Sequence, residues 1–197
     1  MNYNEFRDLC HLTSTACGWW PETDARRLKI PTTLALIHTE IAEAHAFWET
    51  GRPDDHLPHH SGLAVELADI VIRTGDNAGA EGVDLDRAVE SVRAEFGQSK
   101  INGTYWMNPE DNGRRYLTGA NAFLVLHNFA ASATEAFRRG EEWGYAKALG
   151  RIMCLCEIIA EQWRYDLYTI AREKVAYNKT RADHKAEARA GQGGKIV

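Results

Sequence analysis

Residues 34–72 read LALIHTEIAEAHAFWETGRPDDHLPHHSGLAVELADIVI, and this stretch decides the fold. It holds two short acidic signatures, Glu40-Ile-Ala-Glu43 and Glu66-Leu-Ala-Asp69. Leu34, Ile37, Ile41 and Ala44 recur at helical spacing around the first, and Leu63, Leu67, Ile70 and Val71 around the second. Residues three apart share one face of a helix, so each segment projects a carboxylate pair in one direction. One such pair is common on solvated helices. Two pairs on successive apolar helices place four acids at a core-facing surface, where uncompensated charge is costly. A hard divalent cation with oxygen ligands, Mg2+ or Mn2+, is the natural compensation.

The stretch resembles a known group. Glu-x-x-Glu, a loop and Glu-x-x-Asp, followed later by Glu173-Lys-Val-Ala-Tyr-Asn-Lys-Thr-Arg181, are similar to the signature of the MazG-like all-α nucleoside triphosphate pyrophosphohydrolases. Dimeric dUTPases and phosphoribosyl-ATP pyrophosphohydrolases belong to the same superfamily. The resemblance implies hydrolysis of a (d)NTP to (d)NMP and pyrophosphate by water attack on the α-phosphorus. It implies two to three Mg2+ or Mn2+ ions held by Glu40, Glu43, Glu66 and Asp69, with Glu40 or Glu43 orienting the water. Lys174, Tyr177, Asn178 and Arg181 are the substrate-binding residues it implies, and a nucleoside triphosphate the partner. The base stays open among dUTP, dCTP and dGTP; some phage members of the group supply dGMP. Phosphoribosyl-ATP hydrolysis is the nearest rival within the enzyme reading.

Composition narrows the class. With 197 residues, 44% of them hydrophobic, the chain can bury a sizeable core. A formal charge of −5 argues against general nucleic-acid binding. No apolar run reaches the roughly 18 residues of a membrane span. The polar start MNYNEFRDLC lacks the apolar core of a secretory signal. Cys10, Cys17, Cys154 and Cys156 fit neither a zinc ribbon nor a disulfide scaffold, so a reducing cytoplasm is expected. A homo-oligomer is a further expectation.

Periodic apolar faces recur in seven or eight segments and no period-2 strand stands out. The expected fold is all-α, an antiparallel helix bundle. A first helix covers 2–17, and Pro31-Thr32-Thr33 opens a second that stops at Gly51. A third carries Glu66 and Asp69, with Asp76 as a supporting acid, and Asp84 caps a fourth. Trp19 and Trp20 plug a helix junction. His56, His59 and His60 are read as loop histidines.

The chain also repeats itself. LHNFAASATEAFRRG (126–140) lies over IHTEIAEAHAFWETG (37–51) at an offset of 89, with Phe129 for Glu40 and Ser132 for Glu43. KVAYNKTR (174–181) lies over RAEFGQSK (93–100) at an offset of 81. A tandem, pseudo-dimeric MazG-like repeat with a degenerate second copy is expected. The units are a metal-binding half (1–100), a connecting loop (101–120), a degenerate half ending in YNKTR (121–181) and a basic Gly-rich tail (182–197). The acids lie in the first half and the intact YNKTR in the second, which implies one shared site. Trp19, Trp20, His38, Trp48 and Tyr105-Trp106 are candidates for a base pocket. Lys100, Arg114, Arg115 and Lys195 are candidate phosphate contacts. A di-iron carboxylate bundle needs Glu-x-x-His, which the sequence lacks. A non-catalytic helical regulatory or assembly protein with a remnant metal site is the alternative.

Overall fold

The computed structural model describes residues 2–21, 26–97 and 119–181. Among them are seven helices: α1 (Tyr3–Ala16), α2 (Arg26–Thr50), α3 (Gly62–Ala80), α4 (Leu85–Gly97), α5 (Ala120–Arg139), α6 (Glu142–Gln162) and α7 (Leu167–Thr180). The only β pairing among the described residues is an isolated bridge between Pro53 and Ser61. The all-α bundle read from periodicity is the observed fold. No described helix is long and apolar enough to cross a membrane.

α3 is the central rod. Fourteen of its nineteen residues are buried, the acids Glu66 and Asp76 among them. It packs against α1, α2, α6 and α7. Small residues permit the close approach of α1. A Cβ on Gly79 would stand 2.4 Å from His11 Cβ, and one on Gly75 3.2 Å from Cys10 Sγ. The ends of α1 and α4 cap each other. Asp86 accepts from the Tyr3 and Asn4 amides at 2.7 and 3.2 Å, and Asn4 Oδ1 accepts from the Leu85 amide at 2.8 Å. These bonds satisfy donors that a helix start leaves without partners. Asp84 also caps α4, as expected, accepting from the Arg87 amide at 3.1 Å.

Exchanging α2–α4 with α5–α7 maps the main contacts among these six helices onto themselves, whereas α1 packs on α3 and breaks the correspondence. α2 pairs with α3 as α5 pairs with α6, and α7 covers α3 as α4 covers α6. α2 meets α5, and α3 meets α6. Gly51 (φ +66°) and Gly140 (φ +70°) both sit just past a helix end in the left-handed region, where glycine is strain-free. His38 and His127, which share the 89-residue offset, stack on each other with ring centroids 5.0 Å apart. The two halves interleave in a single hydrophobic core.

Two expectations need correction. Pro31 does not open α2 but lies inside it, the helix starting at Arg26. As the sixth residue of α2 it lies beyond the first four amides, which have no intrahelical acceptor, so its missing amide removes one intrahelical bond. Asp76 does not support the acid pairs. It accepts from Trp20 Nε1 at 2.8 Å and pairs with His11 Nδ1 at 2.9 Å, tying α3 to α1 and to the segment before α2. Buried Trp20 does plug that junction.

Gly79→Ala should destabilise the chain by about 1–3 kcal/mol through overpacking, although alanine is the better helix former. Urea denaturation followed by circular dichroism measures this. An unchanged or raised midpoint would contradict the close packing of α1 on α3.

Candidate metal centre

α2 and α3 turn their acidic faces toward each other. Glu40, Glu43 and Glu66 each offer a carboxylate oxygen, and these lie within 4.8 Å of one another. Glu66 and Glu40 are only 5% and 9% exposed, whereas Glu43 faces solvent. Asp69, one turn along α3, is turned to α7, where its Oδ2 meets Lys174 Nζ at 3.0 Å.

The charges are partly compensated from within. Arg73 Nε donates to Glu40 Oε1 at 3.0 Å, and Lys174, 4% exposed, neutralises Asp69. Burial pulls Lys174 toward its neutral form, but Asp69 more than reverses this and holds it above its ordinary range. Burial raises Glu40 against the opposing pull of Arg73. Glu66 has no such partner. Its Oε2 is buried without a hydrogen bond. Burial, then repulsion from Asp69, Glu40 and Glu43, pushes its carboxyl up to about 9. Four acids face two paired cations, so full ionisation leaves an excess of negative charge that a divalent ion matches. The all-oxygen donor set and the orphaned Glu66 oxygen fit Mg2+ or Mn2+.

The acids line a cavity of about 500 Å³, within the size range of small-molecule sites. Lys174, Asn178 and Arg181 of the YNKTR segment line the same cavity. Asn178 Oδ1 is buried there without a partner. Tyr177 departs from expectation: it does not line the cavity but stacks on His56, its hydroxyl 3.3 Å from Nδ1. Lys174 lies inside the carboxylate cluster as the Asp69 counter-ion.

Of the base-pocket candidates, Trp19 lines the cavity. Trp20 is committed to Asp76, His38 to His127, and Trp48 to His45 and Phe123. Lys100, Tyr105, Trp106, Arg114, Arg115 and Lys195 lie outside the described residues. Arg73 and Asp54 were missed. Arg73 follows Asp69 by four positions and Glu66 by seven, so its place on the acidic face was readable from spacing. Asp54 is buried in the cavity wall, its Oδ1 accepting from the His56 and Leu57 amides. His56, His59 and His60 lie on the loop as read, and His59 and His60 both engage Glu173 of α7.

Arg151 lies over the Phe129 ring at 6.0 Å, as Arg73 lies on Glu40. One turn earlier, Lys147 meets Glu95 of α4 at 3.2 Å, as Asp69 meets Lys174 of α7. Arg151 shares Glu95 at 3.1 Å. Compared with family models, curated proteins and solved structures, the chain matches none of them.

Glu66 is protonated in the folded chain over a range where the unfolded chain has released the proton. The stability linked to it is full below the ordinary 4.5 and is lost as pH rises through about 9. In EDTA, urea midpoints should fall across this window, and Glu66→Gln should flatten the fall. An equal slope in the variant would count against the buried, unpaired carboxyl.

Proposed function

We propose that this chain is a divalent-metal-dependent nucleoside triphosphate pyrophosphohydrolase, converting a (d)NTP and water to (d)NMP and pyrophosphate. One observation carries the reading: the two acidic pairs and the YNKTR segment, more than 100 positions apart in sequence, share one cavity wall. The motif resemblance adds to it. The same reading takes the chain as a tandem duplication whose second copy lost its acids, supported by the exchange-symmetric helix contacts.

Glu40, Glu43, Glu66 and Asp69 would hold Mg2+ or Mn2+. Bound there, the ions supply a Lewis acid for phosphate oxygens and lower the pKa of water. The chain's own groups do the rest. Glu43, the exposed acid of the first pair, is placed to orient water and take its proton. Arg181 contributes positive charge beside the leaving pyrophosphate. Lys174 holds Asp69 in place, and Asn178 offers its unpaired oxygen to a donor on the substrate. Trp19 and Phe47 give the same cavity apolar surface for a base.

Incubation with each common dNTP and NTP, followed by ion-exchange chromatography, tests the reaction. Monophosphate and pyrophosphate should form with Mg2+ or Mn2+ and not in EDTA. Glu43→Ala should lower turnover at least about a hundredfold with an unchanged circular dichroism spectrum. Diphosphate plus phosphate would place the attack on another phosphorus and exclude this class. No turnover of any nucleotide would favour a regulatory or assembly role.

A further inference from the structure

The segment between α2 and α3 is closed on itself. Pro53 and Ser61 form an antiparallel bridge. The Gly62 amide donates to the Arg52 carbonyl at 3.1 Å, and the Asp54 amide to the His60 carbonyl at 3.2 Å. Buried Asp54 and buried Leu57 pin the loop from inside. Its return arm therefore presents His59 and His60 together, ring centroids 4.3 Å apart.

Both rings meet one carboxylate of α7. His59 Nε2 lies 2.7 Å from Glu173 Oε1, and His60 Nε2 lies 2.8 Å from Oε2. The three residues offer two imidazole nitrogens and a carboxylate oxygen within 4.8 Å of one another. We propose that His59, His60 and Glu173 form a second metal site, taking a divalent transition-metal ion of the zinc class. Imidazole nitrogen selects such ions, whereas the carboxylate cluster is all oxygen and suits magnesium. Glu173, held below the usual carboxylate range first by His60 and then by His59, is anionic as a ligand must be. Partial exposure of all three side chains leaves a path for the ion and room for solvent in a fourth position.

The site has a mechanical consequence. The loop carries Arg52, Asp54 and Asp55 to the wall of the acid cavity, and Glu173 adjoins Lys174. An ion bridging the loop to α7 fixes that wall. The proposal stands whether or not the cavity hydrolyses nucleotides.

The test is zinc binding by the full chain, freed of metal and then held in excess Mg2+ to occupy the carboxylate cluster. Competition with a chromogenic chelator gives the affinity. A His59→Ala/His60→Ala double variant and Glu173→Gln should each bind zinc at least about tenfold more weakly, and Glu66→Gln should bind it as the native chain does. Zinc should raise the Tm of the native chain and not of the double variant. Cobalt should give the visible bands of a nitrogen- and oxygen-ligated ion. Unchanged zinc affinity in the double variant would overturn the site. So would loss of zinc in Glu66→Gln, or a thiolate charge-transfer band from a cysteine. The substituted side chains are at the surface, and circular dichroism of the metal-free variants checks that they fold.

Discussion

A carboxylate buried at the cavity wall with no hydrogen-bonded cation is the constraint on which the rest of this structure depends. α3 is covered on four sides by other helices, and Glu66 sits within that cover. Low polarity strengthens both the repulsion among the acids and the attraction of any cation. Arg73 and Lys174 each relieve one acid, and neither hydrogen-bonds Glu66. The affinity of such a centre for a proton or a metal comes from burial more than from the number of acids. Exposed pairs of the same spacing are solvated and ask for nothing.

The other half of the bundle shows the alternative solution on the same scaffold. There Arg151 lies over the Phe129 ring, and Glu95 is shared by Lys147 and Arg151. That side meets its electrostatic needs with side chains alone. The acid side leaves one group over. The helices are arranged alike in both halves, so the difference lies in a handful of side chains.

Much of this was legible in the sequence. The apolar period gave the helices, and Glu40 and Glu66, one from each i, i+3 pair, are buried, whereas Glu43 faces solvent. What escaped was set by partners distant in the chain. Glu173 lies 113 and 114 residues from the two histidines it joins, and no spacing rule links such positions. Tyr177 sits beside Asn178 on α7, yet its ring finds His56, because a helix turns each successive side chain by about 100°. Pro31 misled because a local start signal was read without the tertiary contacts that extend α2 toward Trp19. Ile30, just before it, is fully buried, and Lys29 bonds the Trp19 carbonyl.

The placing of α7 over α3 bears on how the chain comes to fold. On the ribosome α2 and α3 emerge long before α7, so the acids spend that interval where water can solvate them. The helix that closes the remaining side of α3 is the one that carries Lys174. Asp69 therefore loses its water and gains its cation in the same docking step.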